Sequence, residues 1–317
     1  MTNTQSAYKA YNPKIVKTKK IAGKSVISIL RFFFLFGISF VIIYPILSMI
    51  CGSFMSVDDL VDITVKYFPK NFTFDNYVKA AKALNFPDTL ITSVIIFGIT
   101  SLLQAFSCTL VGYGLARFKF KLNGLIFICV IIQLLIPPDT IMLTRYIEFR
   151  YFDLFGLGNL FGLDSINLTS TALPLYVLGI TGTGLKNGLF IFMLRQYFKG
   201  LPKSLEEAAY VDGCNPFRAF VSIMLPCAKT MMVTIFLFSF VWLWTDMTVA
   251  PTLTTSDILV NMTYMIKSTM EDNSGGLVTS LLKNSGVVLI ILPVVIVYLV
   301  CQKAFIQGIE SSGITGT

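Results

Sequence analysis

The sequence predicts an all-α integral membrane protein with six transmembrane helices and one polar, helical loop between the fourth and the fifth. Three observations predict it. Of 317 residues, 55% are hydrophobic and only 13% charged, and the apolar residues come in uninterrupted runs, not in the alternation of a half-buried strand. Six of those runs reach or approach the roughly 20 residues a helix needs to cross a hydrocarbon core. Charge, finally, is divided unevenly between successive loops, as a membrane topology requires.

In chain order, a basic tail at 1–27 precedes the first span, placed at 28–50. The apolar run from Ile27 to Ile50 is longer than a signal-peptide core and no small-residue cleavage pattern follows it, so it reads as a retained anchor. Within the tail, "AGKS" at 22–25 imitates the end of a phosphate-binding loop. Thr18 stands where such a loop needs glycine and a membrane anchor follows, so the segment is read as basic juxtamembrane sequence. Residues 51–88 form an external segment of mixed charge, and 89–305 a five-helix core with spans at 90–115, 122–142, 173–195, 230–250 and 286–304. The third is bounded by Pro137, Pro138 and Asp139, and the fourth contains "GITGTGLKNG", so both are expected to be kinked or locally unwound. Residues 306–317 are a C-terminal tail.

Charge sets the orientation. With the N-terminus inside, the inner segments hold 16 of the 25 basic residues against four acidic ones, and the outer loops hold eight basic against eleven acidic. This asymmetry puts both termini in the cytoplasm and makes the net charge of +8 topological, so no nucleic-acid partner is expected. The chain has no histidine. Imidazole base catalysis, Ser-His nucleophilic pairs and the usual zinc sets are thereby excluded, and no paired intramembrane carboxylates replace them. Neither an enzyme activity nor a metal site is expected. Of six cysteines only Cys51 falls at the outer face, so no disulfide framework is expected either.

One polar stretch interrupts the apolar chain: "SLEEAAYVDGCNPFRAFVSIMLP", residues 204–226. Ser204 and Glu207 have capping-box spacing after Leu201-Pro202, so a short helix is expected to start there and to stop at Gly213. Asn215 as N-cap and Pro216 in the first turn start a second helix, interrupted at Pro226. Ala208 and Ala209 give the first helix a thin side that another surface can approach closely, and Tyr210 and Val211 offer apolar contact.

The spacing Glu-Ala-Ala, three residues, Gly, nine residues, Ile-x-Leu-Pro is met by Glu207, Ala208, Ala209, Gly213, Ile223, Leu225 and Pro226. It resembles the cytoplasmic EAA motif of permease subunits of binding-protein-dependent ABC importers. The blocks "FPKNFTFDNY", "YGLARFKFKLNGLIF", "FIFMLRQYFKGLPKSLEEAA" and "FIQGIESSGITG" extend the likeness, in order, to the maltose-type carbohydrate-uptake branch. The chain departs from that branch at Trp244-Thr245-Asp246-Met247 and Thr92-Ser93, which leaves the sugar open.

What the resemblance implies is a transport subunit with no cofactor of its own, ATP being bound by partner ATPase subunits. The loop 200–226 would couple to them through Glu207, Ala208, Ala209, Tyr210, Asp212, Gly213, Ile223, Leu225 and Pro226. Glu207 either completes the capping box or pairs with the ATPase. Implied partners are a second permease, two ATPase subunits, an extracytoplasmic solute-binding protein meeting outer loops such as 51–88 and 251–285, membrane lipid, and a sugar. A permease for a peptide or amino acid is the alternative. A stand-alone secondary transporter would need ion-coupling residues and, often, an inverted repeat, and neither is seen.

Inside the spans, Lys186 lies nine residues from Arg195, hence roughly 14 Å from the inner interface. Among Gly182, Gly184 and Gly188 it is expected either to face a solute pathway at an opened backbone, together with Asn187, or to snorkel outward. Asp246 is placed near the outer interface, too far from Lys186 to pair with it. Trp242 and Trp244 are read as interfacial belt residues in preference to sugar-stacking platforms.

Overall fold

The structure, a computed structural model, describes residues 13–153, 165–169, 171–254 and 277–314. The start of the basic tail, most of the segment 251–285 expected as an outer loop, and the last three residues lie outside them. Among the described residues all regular structure is helical, with a single isolated bridge between Phe152 and Ile166. The chain divides into two compact units at Phe72/Thr73.

In the first unit α1 runs from Pro13 to Ser53, 41 residues. From Pro13 onward the expected tail and first span are one helix, whose Ile27–Ser53 portion is apolar enough to cross a membrane. After a turn, α2 (Val57–Val61) starts at Ser56, whose hydroxyl accepts from Asp59 N at 3.2 Å. The chain then folds back on α2. Buried Asp59 accepts from the backbone N–H of Asn71 at 3.0 Å and from its side-chain amide, also at 3.0 Å. Phe54 stacks on Phe72 with ring centroids 4.6 Å apart. At the loop's exposed edge Lys70 pairs with Asp62 at 2.7 Å. Lys70 and the Thr64 donors hold the Asp62 carboxyl well below the usual carboxylate range.

The second unit begins with α3 (Asp75–Ala83) and the long α4 (Asp88–Arg117). The third expected span ends early. Helix α5 covers only Asn123–Leu135, because Ile136 precedes a proline and turns extended (φ −74°, ψ 121°). The chain bends by 101° into a short 3-10 turn and α6 (Met142–Arg150). The fourth expected span is broken, as the glycines suggested, into α7 (Leu173–Ile180) and α8 (Asn187–Gly200). Next come α9 (Ser204–Val211) and α10 (Pro216–Cys227), which meets α11 (Lys229–Thr245) at 70°. Here the fifth span is shorter than expected. Asp246 turns extended and its carboxylate caps α12 (Val249–Leu253) by accepting from Ala250 N at 2.7 Å. Helix α13 runs from Leu277 to Ile314.

Among the described residues three helices can cross a membrane by length and composition, or up to five if each bent pair is one span. They are Ile27–Ser53, Asp88–Arg117 and Val278–Gly308, with α5–α6 and α10–α11 as the bent pairs. Within the second unit α4 is the central helix, packed on α7, α8 and α11, while α11 also packs on α13. Phe190, Leu194 and Phe198, four residues apart along one face of α8, are fully buried. At Gly112 the two backbones come so close that an added Cβ would sit 2.6 Å from Leu194 Cβ. In lipid, where apolar burial does not favour one helix pair over another, such close packing is a main source of association.

Candidate functional site

Two places concentrate polar chemistry. The first is α9 and its turns. Leu201 before Pro202 is extended, and Lys203 already has helical dihedrals and accepts from both Glu206 N (3.0 Å) and Glu207 N (3.1 Å). Ser204 is therefore inside the first turn and makes no side-chain cap, and the expected capping box with Glu207 does not form. The carboxylate that is held belongs to Glu206. Tyr113 OH donates to its Oε1 at 2.8 Å, and Arg117 Nε approaches its Oε2 at 3.3 Å as an ion pair. Both charged side chains are nearly buried, 6% exposed for Arg117 and 9% for Glu206. Arg117 Nη2 also donates to Leu201 O at 2.9 Å, and the Tyr113 ring packs on Phe118, Phe198 and Phe220.

The other end of α9 is fixed by its backbone. Gly213 takes the left-handed conformation (φ +80°). Gly213 N donates to Tyr210 O at 3.1 Å and Cys214 N to Ala209 O at 2.9 Å, the double bond pattern of a Schellman termination. Asn215 then caps α10 by accepting from Arg218 N at 2.8 Å, with Pro216 next, as the sequence indicated. Pro226 has no N–H to give, and the helix widens into a π turn over Phe220–Met224 just before it. Tyr197 OH donates to Cys227 O at 2.6 Å at the bend.

The faces of this unit sort the expected coupling residues. Glu207, Ala208, Tyr210, Asp212 and Gly213 are exposed, as is Val211. Ala209, expected on the close-contact side, is instead turned inward, because it shares the Glu206 face three residues on. Ile223 and Leu225 pack against the chain's own core, and Pro226 lines an apolar groove of about 880 Å³ with Leu225, Phe106 and Met232.

The second place is the break at 181–186. The break between α7 and α8 takes several backbone carbonyls out of the helical ladder, and buried carbonyls need other donors. Side chains from three other elements supply them. Ser107 Oγ donates to Gly179 O at 2.7 Å, Gln133 Nε2 to Gly182 O at 3.1 Å, Arg145 Nη2 to Thr183 O at 2.6 Å and Gln104 Nε2 to Leu185 O at 3.4 Å. Gln104 Oε1 in turn accepts from Ser239. Lys186 sits at the start of α8 in the left-handed region (φ 61°), exposed, with Nζ 6.0 Å above the Trp242 ring. Asn187 is fully buried, and neither its amide nitrogen nor its amide oxygen has a partner among the described residues. Lys186, Asn187, Gln133 and Arg145 line a cleft of about 40 Å³, room for one or two waters or for the tip of a polar group.

The tryptophans separate. Trp244, read from sequence as an interfacial residue, is 1% exposed and donates Nε1–H to Ile290 O at 3.2 Å, so it belongs to the core. Trp242 is half-buried between Phe190 and Phe238 and faces Lys186. Sequence reasoning missed Glu206, Tyr113, Arg117 and Gln104. The Tyr-x3-Arg spacing of "YGLAR" was a signal, since it sets both side chains on one face of α4.

Bilayer-length apolar helices, and a helix pair opened around side-chain-capped carbonyls, fit a membrane transport subunit. Residues 108–311 match the family described as "Binding-protein-dependent transport system inner membrane component", and this chain belongs to that family. It is 27% identical to the probable starch degradation products transport system permease protein of Thermoanaerobacterium thermosulfurigenes, over 86% of this chain and 91% of that protein. It is 28% identical to the arabinooligosaccharides transport system permease protein of Bacillus subtilis (89% and 94% covered) and to the melibiose/raffinose/stachyose import permease protein of the same species (78% and 83%). In fold it resembles a chain of a bacterial ABC transporter involved in the import of the acidic polysaccharide alginate. The TM-score is 0.69 at 21% identity, covering 89% of this chain and 98% of that one.

Proposed function

We propose that this permease is one half of the membrane pathway of an ATP-driven importer of a sugar or oligosaccharide, working with a second permease, two ATPase subunits and an extracytoplasmic solute-binding protein. The sugar class rests on the relatives, which carry starch products, arabino-oligosaccharides and melibiose-type sugars in their names. The observation that carries the coupling is the construction of α9: inner face locked by Glu206, end fixed by Gly213, outer face of Glu207, Ala208, Tyr210 and Asp212 left open. A helix so held transmits displacement as a rigid body, and its open face is the surface an ATPase subunit would grip. In this reading Glu207, free of the capping box, is available to pair with the ATPase. Six spans, both termini cytoplasmic and α9 on the cytoplasmic face complete the arrangement, the fourth span being the broken pair α7–α8. Lys186 and Asn187, at the break, face the solute pathway.

Purifying the permease with the products of its neighbouring genes, and measuring ATPase stimulation by maltotriose, arabinotriose, raffinose and a tripeptide with the binding protein present, tests the reading. Stimulation by an oligosaccharide is expected. Stimulation by the tripeptide alone would transfer the assignment to a non-carbohydrate solute.

A further inference from the structure

The buried triad Tyr113, Arg117 and Glu206 lies at one end of α4, and Ser107 and Gln104 lie farther along the same helix. Tyr113 and Arg117 hold α9 through Glu206, and Arg117 also holds Leu201 O, in the short joint where α8 passes into α9. Ser107 and Gln104 hold the carbonyls of Gly179, at the end of α7, and of Leu185, inside the break just before α8. Six residues separate Tyr113 from Ser107 and nine separate it from Gln104, roughly 9 and 14 Å along an uninterrupted helix. The peptide link from α8 to α9 runs through only Leu201, Pro202 and Lys203, and Leu201 is extended. Without the triad, α9 could pivot about that joint.

We infer that Tyr113, Arg117 and Glu206 are positioning residues that make α4 the rigid link through which displacement of α9 reaches the opened backbone at 179–186. The inference rests on the coupling reading above, which supplies the displacement. A buried ion pair adds little net stability over an apolar replacement, and its best-attested use is to fix one arrangement against others. Here the arrangement fixed is the angle of α9 to α4. The Gly112–Leu194 contact adds a second restraint between α4 and α8, one residue from Tyr113.

The test uses the assembled complex with its ATPase subunits and binding protein in nanodiscs. Thr183→Cys, at an exposed position in the break, is labelled with a polar maleimide with and without ATP and vanadate, against the parent complex for background. With the triad intact, the vanadate-trapped complex shows a severalfold change in labelling rate. In Glu206→Gln, and in Glu206→Gln/Arg117→Gln, which leaves no unpaired buried charge, that change is lost while trapped nucleotide and bound ATPase subunits stay at parent levels. Ser107→Ala, remote from α9, weakens the response in the same direction. A vanadate response retained in the double variant overturns the inference, as does release of the ATPase subunits, since the triad would then serve docking alone. No response with the triad intact overturns it too. Ala208→Trp separates the two readings: if it leaves ATPase binding and the response untouched, the docking of α9 has failed, whatever the triad does.

Discussion

Gly213→Ala isolates the end of α9. A Cβ at Gly213 meets nothing within 4 Å, so the substitution adds no clash, and its whole effect comes from φ +80°. An L-residue in the left-handed region costs about 1–2 kcal/mol, or a factor of roughly 5–30 in a local opening equilibrium. The hydrogen bonds that open with the turn are known: Gly213 N to Tyr210 O and Cys214 N to Ala209 O. Hydrogen exchange of a peptide spanning 204–215 should therefore accelerate about 5- to 30-fold, while peptides from α4 and α8 keep their protection. Exchange unchanged at 204–215 would show that the Schellman bonds do not limit the motion of α9. Equal acceleration in α4 would show that the turn is part of the global fold and not a local stop. Either result would refute the argument that Gly213 fixes only the outer end of the helix.

Other substitutions probe the remaining contacts. Ala208→Trp, on an exposed face, should leave the permease's own melting temperature within the range of a surface change, about 0.5 kcal/mol, while reducing co-purification of the ATPase subunits. Gly112→Leu drives a side chain into Leu194 and should destabilise by about 1–3 kcal/mol, read as a lower melting temperature and accompanied by loss of uptake. In the proposed pathway role Lys186 donates to the solute, so Lys186→Met should lose about 1.5–3 kcal/mol and raise the half-saturation concentration about tenfold or more; unchanged uptake and specificity would end that role. In the loop after α1, the Asp62 carboxyl is held down by Lys70, so its contribution is present above the ordinary carboxylate range and lost only as pH falls through the depressed value. At about pH 4, where a free aspartate is half protonated, pepsin should cut residues 57–72 faster in Asp62→Asn than in the unsubstituted chain.

Local rules of chain geometry were legible in the sequence wherever the partner groups lie within a few residues. Gly213 as helix stop, Asn215 as cap and the opening at "GITGTGLKNG" all depend on neighbours in sequence, and the structure has each of them. The capping box failed because a second local rule competed: Pro202 and the extended Leu201 start the turn at Lys203 and leave Ser204 with helical dihedrals. The choice between Glu206 and Glu207 was beyond local rules. It is made by Tyr113 and Arg117, some 90 residues earlier (|i−j| = 93 for the tyrosine). Trp244 is a similar case, assigned to a membrane interface by its place near the end of a span, while its indole partner is Ile290, 46 residues on.

In the proposed topology the break between α7 and α8 lets a transport subunit keep polar groups in lipid without losing its fold. Four carbonyls at 179–185 are each held by a single side-chain donor from α4, α5 or α6, not by the helical ladder. At about 0.5–1.5 kcal/mol for each of the three neutral donors and about 1.5–3 for Arg145, the set is worth about 3–7 kcal/mol. That is enough to hold one backbone arrangement, and it stays within the few kcal/mol by which two conformations of a protein ordinarily differ. A continuous helix would offer no such intermediate strength, since opening it in the bilayer exposes unsatisfied groups at several kcal/mol each. A break left to water would have no fixed arrangement to switch from. Side-chain latches from neighbouring helices give a segment that is ordered at rest and can be re-set by small movements of the helices that carry them.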